Sequence, residues 1–548
     1  MKNLLLLTTF LFSTTFTAFG QCAEDVEPKV LLIGDSWAFF MNTDGTFDNV
    51  FEHWGQSNMN FFSNAVLAVN GAETQDFLVE AKMTEIENQL DSQPSIEAVH
   101  VSLGGNDFLG AWNVDLTPAE TEALSDETYD EVFAVIDFIK SVRPDIQIVF
   151  SGYMYANFAE VIDDAAPLEA SHPFYGTWEG MGFPTFAQLN TLLNDFSDRL
   201  YDASLLDAQI DFIHVPGLMQ HIYGQEEPLG VDPGGTYAPF FQPLPYGDIT
   251  YPSPKVAMRD YGLVRDCFHL SVDGYYKMID YQFQKFYHKF FMDDIYYLAE
   301  LDDRNGTVDS EGEVGPALIM GSVGLLEQKI ILSFDTDELA DTVITAANIF
   351  LRREGIYLDN PLGTEVLLTM KIGELGSESG VDADDFSDAG DISETACVFG
   401  MNEEDTDWIR IDLPESFLPL IETSFGIIEF SIGAADGPDG FISFTNGADS
   451  EFAPVFNIMY KGEVVGLAEQ EIEVNDFIVF PNPAKDQLNI FTKGKTYDRV
   501  EIINLQGQTV IASNVAVQQL NISDLKAGQY LIRFSSVDGV SVQQFVKR

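Results

Sequence analysis

Cysteine is scarce in this chain. Only Cys22, Cys267 and Cys397 occur among its 548 residues. A chain of this size with three cysteines cannot be a disulfide scaffold, because such scaffolds need dense cross-linking. At most one bridge can form, and the sequence does not say which pair forms it.

Basic residues and long apolar runs are also scarce. Lys and Arg number 27 against 88 Asp and Glu, which gives a formal net charge of −61. So acidic a surface repels nucleic acid and anionic lipid headgroups, and we expect no nucleic-acid partner. Beyond the N-terminal stretch no apolar run approaches the roughly 20 residues that a membrane span requires, so we expect no transmembrane segment.

The N-terminus has the pattern of a secretory signal peptide over residues 1–20. Met1-Lys2-Asn3 is followed by an apolar, hydroxyl-rich stretch, Leu4–Phe16, and then by Ala18-Phe19-Gly20. A cationic start, a short apolar core and small residues two apart predict cleavage after Gly20. Two alternatives are an N-terminal membrane anchor, for which the core is short, and a lipoprotein on Cys22, which Gln21 fits poorly.

With 548 residues, 46% of them hydrophobic, the chain is long enough for about three domains. From about residue 28 to 295, strand and helix signals alternate, which predicts a parallel sheet covered on both faces. The predicted strands are Val30–Ile33, Phe62–Val69, Ala98–Leu103, Ile146–Phe150 and Ile210–Val215. The predicted helices are Thr74–Leu90, Thr128–Val142, Ala187–Ala203 and Asp273–Phe291.

Three glycine-rich turns follow the first three strands. They are Gly34-Asp35-Ser36, then Asn70 to Thr74, then Gly104-Gly105-Asn106-Asp107. Because parallel strands end at one edge of a sheet, we expect all three turns to face one crevice. Each turn alone is also compatible with ordinary loop chemistry.

A fourth segment, Arg265 to Leu270, contains Asp266 and His269 just before the last predicted helix. A histidine that works as a base needs a carboxylate to fix its tautomer, and a spacing of three residues lets the two side chains meet. The alternative is a solvated aspartate beside a surface histidine.

Taken in order, the four segments resemble the SGNH (GDSL-type) hydrolases. Gly34-Asp35-Ser36 is similar to the first block of that family, Gly71 to the second, Gly104-Gly105-Asn106-Asp107 to the third and Asp266-Cys267-Phe268-His269 to the last. Trp37 stands where leucine is commoner, which leaves the nucleophile untouched. The resemblance covers about half of the chain and implies a three-layer α/β/α sandwich with a parallel sheet.

The resemblance also implies residue roles. Ser36 would be the nucleophile, His269 the base and Asp266 the residue that orients the base. The backbone N–H groups of Ser36 and Gly71 and the side-chain amide of Asn106 would form the oxyanion hole. No metal and no cofactor is expected.

For other residues of this first region, a purely structural role is an alternative to a role in the site. His100 lies inside a predicted strand and is expected to be packed, whereas His214 ends the fifth strand and could line the crevice. Two aromatic loops, 171–178 and 216–261, either shape the acyl or alcohol pocket or pack on the surface.

The region from about 314 to 462 consists of short β-rich runs separated by Gly- and Asp-rich turns, which predicts an all-β sandwich. It weakly resembles the modules that accompany secreted polysaccharide-active enzymes, so it either binds glycan or acts as a spacer. The acidic run Asp382 to Asp385, with Asp388 and Asp391, offers oxygen ligands for Ca²⁺. Its spacing matches no cation loop, and a solvated acidic loop is the alternative.

Residues 476–548 resemble the type IX secretion C-terminal sorting domain of Bacteroidetes, a small β-sandwich. The resemblance rests on the opening Pro481-Asn482-Pro483-Ala484, on Gly528-Gln529-Tyr530 and on the terminal Lys547-Arg548. It implies contact with the outer-membrane secretion machinery, export through the periplasm and outer membrane, and a secreted or surface-attached product. The alternative is a third binding module of immunoglobulin type.

The sequence thus predicts a signal peptide at 1–20, an SGNH-type hydrolase domain at 28–297, a β-sandwich at 314–462 and a sorting domain at 476–548. The predicted activity is that of a secreted serine esterase or lipase that cleaves carboxylic esters through an acyl-enzyme. Acylated polysaccharide is the favoured substrate. The alternatives are an esterase for lipid or short-chain acyl esters, an acyltransferase, and a non-catalytic glycan-binding surface protein.

Overall fold

The structure is a computed structural model. It describes residues 22–150, 152–225, 238–298, 304–336, 343–377, 380–400, 403–422, 426–435, 440–447, 451–460, 478–480, 484, 487–491, 497–504, 508–513, 519–536 and 539–547. Residues up to Glu463 form one compact unit and residues from Val464 a second. The predicted signal peptide, the Pro-Asn-Pro opening at 481–483 and residues 461–477 lie outside the described residues.

A five-stranded parallel sheet forms the centre of the first half, in the order β2-β1-β3-β4-β5. Its strands are β1 (Glu27–Gly34), β2 (Met59–Phe62), β3 (Ala98–Ser102), β4 (Gln147–Phe150) and β5 (Ile210–Phe212). All of Val30–Ile33 and all of β3 are buried. Continuous apolar runs of this kind are expected of parallel strands that are covered on both faces. The predicted parallel α/β region is therefore confirmed.

Helices connect the strands and pack in two groups. They are α1 (Ser36–Asp44), α2 (Thr46–His53), α3 (Glu80–Ser92), α4 (Gly105–Ala111), α5 (Pro118–Val142), α6 (Phe158–Asp163), α7 (Tyr175–Gly180), α8 (Phe186–Ser204), α9 (Leu218–Tyr223), α10 (Val272–Gln282) and α11 (His288–Phe290). A π-helical turn, Phe283–Tyr287, joins the last two. Helix α5 contacts α3, α4 and α8, whereas α10 contacts α1 and α2.

One predicted strand is wrong. The second strand ends at Phe62, where Phe62–Val69 was predicted to be extended. Within that segment Asn64 accepts hydrogen bonds from the amides of Val66 and Leu67 through its side chain, at 2.8 and 3.1 Å. This side-chain-capped turn competes with strand geometry. Only Ala68 bridges to β1, at Gly34.

The register of the sheet brings the ends of its central strands together. Gly34 of β1 pairs with Ser102 of β3, so Ser36 and the turn after Ser102 begin at one edge. The chain reverses strand order between β1 and β3. In open α/β sheets such a switch point opens a crevice where ligands bind.

The α/β region also contains a hairpin of β6 (Met258–Tyr261) and β7 (Val264–Leu270). The rest of the first unit is rich in β-strands and, among its described residues, adds one α-helix, α12 (Leu418–Glu422). Its strands are β8 (Asp294–Tyr297), β9 (Gly306–Asp309), β10 (Val314–Gly315), β11 (Leu318–Val323), β12 (Leu326–Thr336), β13 (Ile344–Leu358), β14 (Glu365–Ile372), β15 (Ile392–Phe399), β16 (Trp408–Asp412), β17 (Gly426–Ala434), β18 (Gly440–Phe444) and β19 (Val455–Tyr460).

These strands form one hydrogen-bonded set, and β12 pairs with both β11 and β17. The pairing therefore closes a ring, in the manner of a barrel, through β11, β18, β13, β16, β15, β14 and β17. The predicted sandwich is not confirmed. The short β-rich runs indicate strands, but they do not reveal whether the outermost strands of a sheet pair with each other.

The α/β and β-rich regions meet through specific contacts. Trp54 stacks on Trp408 with ring centroids 5.1 Å apart. His53 Nδ1 lies 3.0 Å from Asp407 Oδ1. A disulfide joins Cys22, just before β1, to Cys397 of β15, while Cys267 is free and buried. A cysteine held in a disulfide has no thiol for a lipid, which disfavours the lipoprotein alternative.

The second unit contains β20 (Ile478–Phe480), β21 (Gln487–Phe491), β22 (Arg499–Asn504), β23 (Thr509–Ser513), β24 (Gln519–Asn521), β25 (Gly528–Ser536) and β26 (Gly539–Lys547). They form an antiparallel sheet of three strands and another of four. Val500, Ile502, Ile532 and Phe545 are fully buried in its core.

Candidate active site

Ser36 occupies a sharp turn between β1 and α1. Asp35 caps the helix, since its Oδ1 accepts a 2.9 Å hydrogen bond from the Trp37 amide. Gly34 has a φ of +152°, and a Cβ there would lie 2.1 Å from the Ser102 carbonyl oxygen. Only glycine fits that position, so the close approach of β1 to β3 accounts for the glycine of Gly-Asp-Ser.

The structure brings Ser36, His269 and Asp266 together. His269 Nε2 lies 2.7 Å from Ser36 Oγ, and His269 Nδ1 lies 2.7 Å from Asp266 Oδ2. A carboxylate can only accept hydrogen bonds, so His269 Nδ1 carries the proton and donates a hydrogen bond to Asp266. Nε2 of the neutral ring is then the acceptor for the Ser36 hydroxyl. A serine, an imidazole and a carboxylate joined in this order can activate the hydroxyl as a nucleophile.

Asp266 also fixes the backbone that carries the histidine. Its Oδ1 accepts hydrogen bonds from the amides of Phe268 and His269, both at 2.9 Å. The imidazole packs against the rings of Phe268 and Phe40, at centroid distances of 4.2 and 4.8 Å. Asp266 is 1% exposed and His269 5% exposed. Ring and carboxylate therefore have little freedom to leave this arrangement.

Asn106 projects from the first turn of α4 beside the turn after β2. Its Nδ2 donates a 2.8 Å hydrogen bond to the Ala72 carbonyl oxygen. An amide nitrogen carries two N–H groups, so this bond orients the side chain and leaves a second donor. The next residue ties the same two turns together, because the Asp107 carboxylate accepts from Thr74 N and from Thr74 Oγ1 at 3.2 and 3.1 Å.

Gly71 lies in this linked turn at a φ of +77°, and a Cβ there would meet nothing within 4 Å. Val69 N donates to the Gly34 carbonyl oxygen at 3.0 Å, which holds the start of the turn beside β1. The three turns that follow β1, the β2 segment and β3 are thus neighbours at one edge. The amide of Ser36 adds a donor there, since the first N–H groups of a helix have no acceptor within it.

Tyr153 is a member of this cluster that the sequence reasoning missed. Its hydroxyl donates a 2.6 Å hydrogen bond to Asp35 Oδ2. Burial raises the pKa of Asp35 to about 7, although the bond from Tyr153 opposes the shift. Tyr153 follows the end of β4 at Phe150, so the strand-end rule that selected the other turns could have found it.

A cavity opens beside Ser36. It is lined by Asp35, Ser36, Trp37, Gly105, Asn106, Phe108, Leu109, Trp112, Tyr153, Met154, Ala156, Met181, Leu189, Leu192, Leu193 and Phe268. Neither of the two aromatic loops contributes to it among the residues that the structure describes. Tyr175 and Trp178 line a separate cavity of about 870 Å³, which Thr250 also lines. Residues 226–237 of the longer loop lie outside the described residues.

The other histidines have structural partners. His100 is fully buried with Nδ1 2.8 Å from the Tyr287 hydroxyl, and burial lowers its pKa to about 3. It is packed, as predicted. His214 contacts the rings of Tyr201, Phe212 and Tyr246 and does not line the cavity at Ser36.

Across the part of the chain that the structure describes, no group of His, Cys, Asp and Glu side chains is arranged to hold a metal ion. In the acidic run of the β-rich region the carboxylates accept from their own loop. Asp382 Oδ2 binds the Ser377 amide at 3.1 Å, and Asp385 Oδ2 binds the Asp382 amide at 2.8 Å. Asp388 Oδ2 forms an ion pair with Lys371 Nζ at 2.7 Å. The carboxylates thus serve the conformation of the loop.

Comparison with known proteins gives one family match. Residues 478–548 match the model of the secretion system C-terminal sorting domain. This confirms the sorting-domain resemblance predicted from the sequence. The match indicates export by the type IX system to the cell surface or the extracellular space, and it implies contact with that secretion machinery. None of the described helices has the combined length and apolarity needed to cross a membrane.

No curated protein matches the chain. Similar solved structures include a GDSL-like lipase from Bacteroides thetaiotaomicron, at 12% identity and a TM-score of 0.27, with 48% of this chain and 88% of that one covered. A family 3 carbohydrate esterase from Clostridium thermocellum has 15% identity and a TM-score of 0.24, with 47% and 94% covered. The periplasmic domain of a Salmonella lipopolysaccharide acetyltransferase has 13% identity and a TM-score of 0.27, with 49% and 85% covered. At these values the function has to be argued from the site itself.

Proposed function

We propose that the chain is an exported serine ester hydrolase of SGNH type that works through an acyl-enzyme. One observation carries the proposal: Ser36 Oγ, His269 Nε2 and Asp266 Oδ2 are linked through distances of 2.7 Å at the edge where the central parallel strands end. A serine hydroxyl is a weak nucleophile until an adjacent base takes its proton, and this arrangement supplies that base.

In the first half of the reaction, Ser36 Oγ attacks the ester carbonyl carbon while His269 Nε2 takes the hydroxyl proton. Asp266 holds the ring in the correct tautomer and stabilises its positive charge. His269 then gives the proton to the leaving alcohol oxygen as the carbon–oxygen bond breaks. In the second half, water attacks the carbonyl carbon of the acyl-Ser36 ester and gives a proton to His269. His269 passes this proton to Ser36 Oγ as the bond between Oγ and the carbonyl carbon breaks, which releases the acid and regenerates the serine.

The tetrahedral intermediates gather negative charge on the former carbonyl oxygen. We assign their stabilisation to the backbone N–H groups of Ser36 and Gly71 and to the free N–H of the Asn106 amide. Donors that are fixed before the reaction stabilise this charge without reorganisation. The hydrogen bond from Asn106 to Ala72 and the ties between Asp107 and Thr74 hold two of these donors in place.

The fold proposed for residues 28–297 is the three-layer α/β/α sandwich. The strand order β2-β1-β3-β4-β5 and the two groups of helices support it. The remaining proposed divisions are a leader at 1–20, a β-rich accessory domain at 314–462 and the sorting domain at 476–548. The strand pairing extends the β-rich domain toward the N-terminus, since β8 pairs with β19 and β9 with β12. We propose acylated polysaccharide as the substrate, because the chain is exported and carries a β-rich companion.

The test is hydrolysis by the purified chain and by Ser36→Ala, measured on p-nitrophenyl acetate and on acetylated polysaccharide. Ser204→Ala, at an exposed helix end, is the matched control. We expect Ser204→Ala to retain activity and Ser36→Ala to lose it, by about 10³-fold or more. Equal activity of wild type and Ser36→Ala would overturn the proposal. Activity on p-nitrophenyl acetate without release of acetate from polysaccharide would overturn only the substrate.

A further inference from the structure

The cavity beside Ser36 is almost entirely apolar. Ser36 and Asn106 are among the residues that line it, and the others include Leu189, Leu192 and Leu193 of α8. These three leucines are 4–9% exposed. A pocket that offers so little polar surface disfavours a sugar or a charged group and favours an alkyl chain.

The lining also indicates which half of an ester enters the cavity. Ser36 and Asn106 line it, whereas His269 does not. In the proposed reaction the leaving alcohol must lie next to His269 Nε2, which protonates it. The acyl group extends from the same carbonyl carbon in the other direction. The side of the site formed by Ser36 and Asn106 therefore receives the acyl group.

The cavity is small and has firm walls. The centre of a water-sized sphere can occupy only about 30 Å³ of it, against about 870 Å³ in the cavity lined by Tyr175 and Trp178. Tyr153 forms one wall, held by its bond to Asp35 and by edge-to-face contact with Trp37 at 5.2 Å. A Cβ on Gly105 would lie 2.7 Å from the Tyr153 ring, which shows how closely that wall is packed.

We propose that this cavity is the acyl pocket and that it selects short apolar acyl groups over long ones. The inference rests on the proposed function and adds the acyl class. In the acyl-enzyme the carbonyl carbon is bonded to Ser36 Oγ, so the cavity has to hold only the alkyl part of the acyl group. A longer chain requires displacement of the α8 leucines.

The experiment measures kcat/KM of the full chain for p-nitrophenyl acetate, butanoate and octanoate below their aggregation limits. We expect kcat/KM for the acetate and butanoate esters to exceed that for the octanoate ester by about tenfold or more. Leu192→Ala should raise kcat/KM for octanoate relative to that for acetate by about fivefold or more, because the substitution removes part of one wall of the cavity. Leu200→Ala on the same helix is the matched control. Leu200 is 1% exposed but does not line the cavity, so its chain-length ratio should equal that of wild type.

A second variant works in the opposite direction. Ala156→Leu fills part of the cavity and should reduce kcat/KM for butanoate more than kcat/KM for acetate. Preference of the wild type for octanoate, or an unchanged ratio in both Leu192→Ala and Ala156→Leu, would overturn the acyl pocket. In that case Ser36-dependent hydrolysis would still stand. Absence of any Ser36-dependent hydrolysis would instead overturn the proposed function, so the two failures are distinguishable.

Discussion

The Tyr153 hydroxyl donates a 2.6 Å hydrogen bond to Asp35, the residue that precedes Ser36 in the chain. Asp35 in turn caps α1 through the Trp37 amide. Because Tyr153 follows β4 and Asp35 follows β1, this contact connects two strand ends across the sheet. It ties the backbone that carries Ser36 to the wall of the adjacent cavity.

Asp35 should make the stability of the fold depend on pH. Its pKa is raised by burial to about 7 in the folded chain, against about 3.9 when unfolded. Between these values the folded state binds more protons, so the contribution of Asp35 is fully present below about pH 4 and is lost as pH rises through about 7. Asp35→Asn removes this dependence. The free energy of unfolding of wild type relative to Asp35→Asn should fall by roughly 1 kcal/mol per pH unit in that window.

Denaturant unfolding at about pH 5 and about pH 7 measures the difference, with Asp260→Asn on the exposed end of β6 as the control substitution. A constant difference between wild type and Asp35→Asn at the two pH values would show that Asp35 titrates normally.

Asp266→Asn should abolish most of the activity while leaving the fold intact. The asparagine Oδ1 can still accept from the amides of Phe268 and His269. Its Nδ2 would donate to His269 Nδ1, which forces the ring proton onto Nε2 and removes the acceptor for the Ser36 hydroxyl. We expect kcat to fall by about 10³–10⁴-fold. The melting temperature checks the fold, and full activity in a correctly folded variant would contradict the assigned positioning role.

Asn106→Ala should lower kcat more than it raises KM. The free N–H of Asn106 is proposed to bond the oxygen mainly when it carries negative charge, and loss of one such donor costs about 10²–10³-fold. Steady-state kinetics on p-nitrophenyl acetate separate the two parameters. Asn49→Ala on α2 is a control, since the Asn49 amide bonds only the Asp44 carbonyl oxygen at 3.4 Å. A pure rise in KM would assign Asn106 to substrate binding.

The disulfide between Cys22 and Cys397 should stabilise the first unit without affecting the chemistry. The two residues are 375 positions apart, so the bridge restricts a very long loop in the unfolded chain. We expect Cys22→Ser or Cys397→Ser to lower the free energy of unfolding by about 2–4 kcal/mol. Activity measured at low temperature should stay unchanged. Equal melting temperatures for wild type with and without reductant would contradict the prediction.

Much of the α/β region could be predicted because its signals are local. The apolar run Val30–Ile33 marks a buried strand, and the glycines at 34 and 104 mark turns at strand ends. Since parallel strands end at one edge, the topology then brings Ser36 near the turn that carries Asn106. The pairing of Asp266 with His269 follows from a spacing of three residues.

What could not be predicted depends on contacts distant in sequence. Asn64 reorganises a segment whose residues favour a strand, because its side chain competes for the backbone amides. Closure of the β-rich ring depends on β12 meeting β17, about a hundred residues later. The partner of Asp35 is a tyrosine 118 positions away, and nothing near either residue marks the pair.

The bridge between Cys22 and Cys397 has a consequence for how the exported protein survives damage. Any single cleavage of the backbone between these two cysteines yields two pieces that stay covalently attached through sulfur. A nicked molecule outside the cell would therefore migrate as one species on a denaturing gel until a reductant is added, and the piece with Ser36 could not diffuse away from the piece with His269.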